Sequence, residues 1–465
     1  MKFKKGMDHK QEFLFAKKPE DFLPEDHLSK AIYEVIRHLN FDKIESKYSK
    51  LGQNAYDPKI MVSIIFNGYS VGIRSSRKIS KACQERFDFV YLADGQKPSH
   101  DRISDFRKDN WGELKSMFKE IVIIGVNLGL AKIGDISTSI DGTKVRANAS
   151  AKLSKNEDGL KKLLAKTNDE IDKWFEEADK IDVEEDKKYG RYNRCDELPK
   201  HLQSKKARKK AIEEAIAKLK KQKESKKEQI KKEKKRDPTQ IELKKIEETK
   251  INVSDHDAKY MKERCGVIKP NYNAQISVDE NEQFIVANDV VGECNDQHQL
   301  VPMLQQTKEN IGESPKAKAD NGYFPQLEEA KKLFPEVDFY VDDKNRRKDY
   351  INFEELKQKY SKLEYANLIK IVSPEGEKEY KKRMYTVKPP FGNIKHNLGY
   401  RYFLLRGLDK VKGEFNLMSI AHNLKKIVSF AAKNEINLAR ALSNIKENIK
   451  QTTKIRKSNG LRVAC

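Results

Sequence analysis

The chain has 465 residues, too many for one small domain and enough for two to four structural units. Charged side chains make up 36% and hydrophobic ones 37%, so some stretch must be highly solvated. The net charge of +22 points to a polyanionic partner, nucleic acid first and an anionic membrane surface second, although a lysine-rich soluble protein shows the same balance.

The five cysteines, Cys83, Cys195, Cys265, Cys294 and Cys465, are scattered and form no C-x-x-C pair. They argue against a disulfide framework or a zinc ribbon and fit a reducing cytoplasm. The opening MKFKKGMDHKQEFLF lacks an apolar signal core, and no run approaches the roughly 20 apolar residues of a membrane span. No membrane association is expected.

Residues 1–25 read as an extended arm. Leu28, Ile32, Val35, Ile36 and Leu39 then recur at helical spacing. Asp57-Pro58 is a helix start, the acid as cap and the proline in the first turn, and MVSIIFNGY (61–69) continues it. Ser75–Cys83 reads as a helix made basic by Arg74, Arg77, Lys78 and Lys81. Pro98 opens another through Ile103 and Phe106, and Trp111–Leu130 is the last long one. Short basic helices joined by turns suggest a helix-turn-helix-like DNA-binding unit, a pattern any small helical bundle shares.

At Ile136 the pattern changes to that of a strand, ISTSIDGTKV, ending at an acid and a glycine. YNAQISV (272–278) and QFIVANDVV (283–291) flank a turn and predict a β-hairpin. A helix around Asp296–Glu309, a strand Lys316–Ala319, a helix Pro325–Lys332 and a strand Asp338–Val341 follow. This order implies a mixed α/β sheet. Between the first strand and the hairpin, Lys and Glu dominate. Leu160, Leu164, Thr167, Ile171, Trp174, Ala178 and Ile181 lie on one seam, and Arg208, Ile212, Ala215 and Leu219 on a second that Pro238 ends. A helical hairpin inserted in the sheet domain accounts for both seams, as a solvated spacer or as an arm touching DNA or a partner.

Two carboxylates carry the chemistry. Asp141, in S-I-D-G-T-K, and Asp320, in A-D-N-G-Y, each stand at a strand end with glycine within two residues, where open α/β sheets bind ligands. Such a pair can share divalent metals with a substrate phosphate, or the acids can be turn-formers and caps. His100, His298, His396 and His422 fit no ligand spacing, and His298 and His422 read as hydrogen-bonded structural residues.

S-I-D-G-T-K-V-R-A-N-A-S resembles the first acidic motif of DDE transposases of bacterial insertion sequences, and A-D-N-G-Y the second. Y-N-A-Q-I-S-V-D and N-D-Q-H-Q-L resemble that family's hairpin and following helix. P-P-F-G-N-I-K-H-N-L-G-Y-R-Y-F-L-L-R-G (389–407) resembles the stretch after its third acid, and A-H-N-L (421–424) and P-S-H-D-R-I-S-D-F-R (98–107) are similar to further parts of it. The resemblance implies an α/β fold in which an RNase H-like mixed sheet carries an inserted helical hairpin and follows an all-helical N-terminal domain. The divisions expected are an arm (1–25), a helical DNA-binding domain (26–133) and an RNase H-like catalytic domain (134–151 and 252–430). A charged, coiled-coil-like insertion (152–251) and a C-terminal helix with a basic tail (431–465) complete them.

The resemblance further implies that Asp141 and Asp320 bind Mg²⁺ (or Mn²⁺). Lys144, Tyr380, Arg383, Lys395 and Arg401 are the implied contacts to double-stranded DNA, both terminal inverted repeats and target. A homodimer or larger assembly on DNA, in a bacterial cytoplasm and at the nucleoid when bound, is expected. One position departs from the family. Lys388, in T-V-K-P-P-F-G, stands where the third acid belongs, and an ammonium there repels a metal. The chain is then an inactivated copy, or a site completed by another acid such as Glu375 or Glu377, or a DNA-binding protein without cleavage.

Overall fold

The computed structural model describes residues 18–48, 54–131, 136–170, 200–263, 266–347 and 351–445. Most of the N-terminal arm, Ile171, Trp174, Ala178 and Ile181 of the first seam, Cys195, Cys265, Cys465 and the basic tail lie outside them.

Seven helices come first: α1 (Leu28–Ile36), α2 (Asp42–Glu45), α3 (Pro58–Ser70), α4 (Ser76–Glu85), α5 (Phe87–Leu92), α6 (His100–Asp109) and α7 (Trp111–Asn127). Asp57 caps α3 as expected, accepting from the Lys59 backbone N–H at 2.7 Å, with Pro58 in the first turn. From Ile60 to Ser70 every residue of α3 is buried, so it is apolar all round rather than striped.

The sheet comprises β1 (Ser137–Arg146), β4 (Lys259–Lys262), β5 (Ile268–Asp279), β6 (Ile285–Val291), β7 (Lys316–Ala319) and β8 (Asp338–Val341). Its path runs β4-β5-β1-β7-β8, and β6 pairs with β5. The hairpin strands are antiparallel to their neighbours, whereas β7 and β8 run parallel to β1. Helices α11 (Leu300–Ile311) and α12 (Leu327–Leu333) make the two crossovers. On their side of the sheet Ile140, Ala287, Ala317, Ala319 and Tyr323 are buried with Leu300, Met303 and Leu327. The other side, including Tyr272, Ala274, Ile276 and Val278, shares one core with α1, α3 and α7 and with the long helix α16 (Leu408–Lys433). The N-terminal helices are thus packed into the sheet's own core. This is the RNase H-like mixed sheet preceded by helices.

Between β1 and the hairpin lie a two-residue pair, β2 (Ser154–Lys155) with β3 (Ile251–Asn252), helical residues 157–170 (α8), α9 (Lys200–Lys234) and α10 (Gln240–Glu247). Leu160 meets Ile212, Ala215 and Leu219 in a small separate core closed by Ile251 and Val253. The described parts of the two seams therefore face each other. Lys223 is buried there and pairs with Glu157 at 2.9 Å and Glu247 at 2.5 Å, joining α8, α9 and α10. After β8 come α13 (Phe353–Lys359), α14 (Lys362–Val372) and α15 (Pro374–Gly392), which continues through a π-helical turn, Asn393–Asn397. No helix among the described residues is long and apolar enough to cross a membrane.

Arg74, grouped by the sequence with a basic helix surface, is instead 7% exposed and faces inward. Its Nη1 pairs with Glu414 of α16 at 3.0 Å and donates to the Tyr402 carbonyl at 2.6 Å, and its guanidinium stacks on Tyr400 and Tyr402. Glu414 is fully buried and also accepts from the Leu404 and Leu405 N–H groups. Arg74→Ala leaves that carboxylate without its cation. A loss of about 3–5 kcal/mol in unfolding free energy is expected in urea titration, the cost of breaking a buried pair from one side. A loss below about 1 kcal/mol, the range of exposed pairs, is the contrary result.

Candidate active site

Asp141 was expected at the end of β1 but stands in its middle. The strand runs on because β5 stays paired from Thr138↔Asp279 to Arg146↔Asn271. The strand that ends is β7. Parallel pairing of Ser137, Thr138 and Ser139 with Lys316, Ala317 and Lys318 brings Asp320, just past β7, level with Asp141. A rim forms there, where β1 continues and its neighbour stops.

Alternation along β1 sends Ile140 to the α11 side and Asp141 and Thr143 to the α15 side. On α15, Arg383 reaches both acids, with Nη1 3.3 Å from Asp141 Oδ1 and Nη2 4.0 Å from Asp320 Oδ2. The residue is 8% exposed, and its Nε and Nη1 find no hydrogen-bond acceptor among the described residues. Burial pushes the Asp141 carboxyl up to about 6; Arg383 pulls it down and Asp320 pushes it up again. Asp320 is raised for the same first reason, burial, against the same arginine.

A buried charge network sets α15 in register over this rim. Lys318 of β7, completely buried, pairs with Glu280 of the hairpin turn and with Glu379 of α15 at 2.9 Å. Lys382 closes the network on Glu379 at 2.7 Å. The two lysines hold the Glu379 carboxyl down at about 2, against burial, which raises it. Sequence reasoning passed over Lys318 and Glu379. The visible signal is a lysine inside a four-residue strand, K-A-K-A, that also carries Asp320.

The remaining expected contacts divide. Tyr380 is buried beneath Arg383, whose guanidinium lies 5.8 Å from its ring centroid. Lys395 donates to Thr143 Oγ1 at 2.6 Å and to the Lys144 carbonyl at 2.7 Å, just beyond Asp141 on β1. Lys144 donates to the Lys262 carbonyl at 3.0 Å. Arg401 is exposed and lies 3.3 Å from His396. Lys388 is exposed on α15. Glu377 pairs with Lys381 at 3.1 Å, within the first turns of α15.

A third carboxylate does stand at the rim, and it is neither Glu375 nor Glu377. Asp296, in the loop between β6 and α11, approaches from the α11 side. Its Oδ1 accepts from Asn273 Nδ2 at 2.7 Å and Gln275 Nε2 at 2.6 Å. Tyr323 donates its hydroxyl to Gln275 Oε1, which turns the amide N–H toward Asp296. Gly142 and Gly322 leave the room for it. A methyl group on Gly142 would come within 2.5 Å of Asp296 Oδ1. One on Gly322 would sit 3.0 Å from Asp320 Oδ1 and 3.4 Å from Asp296 Oδ2.

The donors at the rim are all carboxylate oxygens, the set that Mg²⁺ and Mn²⁺ take, and the bare faces of the two glycines leave a gap between them. As the side chains stand, no three acids, histidines or cysteines among the described residues are drawn together enough to enclose an ion. The Arg383 guanidinium lies between the first two. The site fits one divalent cation on condition that Arg383 gives way.

The histidines divide too. His422 is buried, as read, with Nδ1 3.1 Å from Asn393 Nδ2 and Nε2 2.9 Å from the Gln283 carbonyl. Burial lowers it to about 4. Asn423 beside it bonds both backbone groups of Ile285, so the A-H-N-L segment clamps the hairpin to α16. His298, read as structural, is exposed.

Comparison with family models gives a Transposase domain (DUF772) at residues 17–109 and a Transposase DDE domain at residues 343–428. The first covers the helices up to α6, and the second α13 to α15 with Tyr380, Arg383, Lys388 and Lys395 and most of α16. No curated protein and no solved structure matches the chain.

Proposed function

The chain is a transposase of the DDE, insertion-sequence type, and from that premise we propose that it binds the double-stranded ends of an element, cuts one strand there and joins the freed end to a target. In the first step water adds to a phosphorus and the bond to the 3′ oxygen breaks, leaving a 3′ hydroxyl and a 5′ phosphate. In the second, that hydroxyl attacks a target phosphodiester and displaces the target's own 3′ oxygen. A divalent cation, when bound, stabilises negative charge on the attacking and leaving oxygens.

Asp141 and Asp320 are the residues to hold it. The observation that carries this reading is the β1–β7 register, which sets two acids from distant parts of the chain side by side under one arginine. Arg383, with unpaired N–H groups facing the rim, suits a scissile phosphate oxygen. Lys395 and Lys144 would line the approach of the backbone along β1, with Arg401 beyond them.

The test is cleavage and strand transfer on labelled DNA carrying the element's ends, with Mg²⁺ or Mn²⁺. Expected are nicked and joined products, absent when the metal is chelated, and end binding that weakens steeply with salt. A second reading, a silent DNA-binding protein, is favoured by Lys388 at the third acidic position. Salt-dependent binding with no product under either metal selects it.

A further inference from the structure

Three negative charges meet at the rim, and one cation answers them. Arg383 pairs with Asp141 and Asp320. Asp296 has no ion pair among the described residues, and two neutral amides hold its Oδ1. Its Oδ2 takes no hydrogen bond there and faces the gap beside Gly322, toward Asp320 Oδ1. A half-buried carboxylate anchored by one oxygen, with the other turned toward two further acids, is electrostatically unfavourable until a cation arrives.

The anchoring is built rather than incidental. Asn273 and Gln275 are alternate residues of β5, and both are buried. They lie on the face opposite Tyr272, Ala274 and Ile276, where a strand packed on both sides could carry apolar residues. The Tyr323–Gln275–Asp296 chain fixes which end of the Gln275 amide meets the acid. Both glycines at the rim are bare on the side from which Asp296 enters. A second observation points independently to a ligand: Arg383, more than nine-tenths buried, directs unpartnered N–H groups at the same rim. Together these features leave a seat for a cation and the phosphate that accompanies it.

We propose that Asp296 is the third carboxylate of this centre and that, with Asp141 and Asp320, it binds one divalent cation, entering from the face of the sheet opposite Lys388. The inference rests on the transposase chemistry proposed above. Asp342, fully buried just past β8 and close enough to act on Asp320, is the competing acid.

Mn²⁺ binding to the full chain without DNA, followed by electron paramagnetic resonance, tests it. Asp296→Asn keeps an oxygen to accept from Asn273 and Gln275, so its metal-free melting temperature should match the wild type. Its Mn²⁺ affinity should fall at least about tenfold, the scale of losing a group that shapes a metal site. Asp141→Asn should abolish binding. If Asp141→Asn abolishes binding while Asp296→Asn binds as the wild type does, Asp296 is not a ligand and this inference alone falls. It falls equally if only Asp342→Asn weakens binding. Should the wild type itself take up no Mn²⁺, the metal-dependent chemistry falls and the role of Asp296 with it.

Discussion

Asp141→Asn is expected to make the folded protein more stable at pH 7.5 while lowering strand cleavage by about 100- to 1000-fold, the range seen when one group that stabilises transition-state charge is removed. The stability half follows from linkage. Burial raises the folded-state pKa of Asp141 from the ordinary 3.8 to about 6, with Asp320 adding to it and Arg383 only partly offsetting it. Below about pH 3.8 the acid is protonated in both states and contributes nothing. Between 3.8 and about 6 the folded chain keeps a proton that the unfolded chain has lost, so stability falls as pH rises. Above about 6 the whole penalty is in place, roughly 3 kcal/mol for a shift of this size. Asparagine has no charge to desolvate. The variant's advantage in urea or thermal unfolding should therefore be full at pH 7.5 and vanish near pH 3.5. A variant less stable than the wild type at pH 7.5 would mean that the Arg383 pair outweighs burial. Activity and stability would then be lost together instead of being exchanged.

Lys388→Glu is expected to raise strand cleavage about 100-fold or more, and Lys388→Ala by far less. Position 388 lies seven residues before Lys395, close to two helical turns, so the two share a stripe of α15. Lys395 bonds to Thr143 and Lys144, and position 388 is directed along the same side, toward β1. With Asp296 completing one cation's ligands, an ammonium at this end of the rim still repels a second cation. Glutamate reverses the sign and adds a donor, so its gain should exceed what alanine obtains by deleting the charge. Cleavage rates at saturating Mg²⁺ on the same labelled ends decide the matter. Equal rates for the wild type, Lys388→Ala and Lys388→Glu would place residue 388 outside the centre. Cleavage by the glutamate variant alone would show a silent wild type whose remaining groups are intact.

Local pattern carried a good deal of this molecule. The helical spacing of Leu28 to Leu39, the Asp57-Pro58 cap and the hairpin around Asp279–Glu282 all appear where short-range periodicity and turn chemistry put them. Asp141 and Asp320 were legible because an acid followed closely by glycine at a strand end is a local signal. The limits of that signal show at Asp141, where β1 runs on past the acid because its length is set by pairing with β5. Arg74 shows the same limit: a basic residue in a basic stretch reads as surface, and only the fold supplies the buried Glu414 beneath it.

The sequence by itself determined which segments are strands and helices, that an insertion divides the sheet domain, and that the first two acids sit beside glycines, since those properties depend on neighbours within a few residues. The tertiary structure alone decided that Asp296 joins them from the opposite face, that Lys318 and Glu379 set α15 in register, and that Arg383 lies across both acids. Those contacts depend on strand register and helix placement, which bring together residues far apart in the chain whose types carry no mark of their partners.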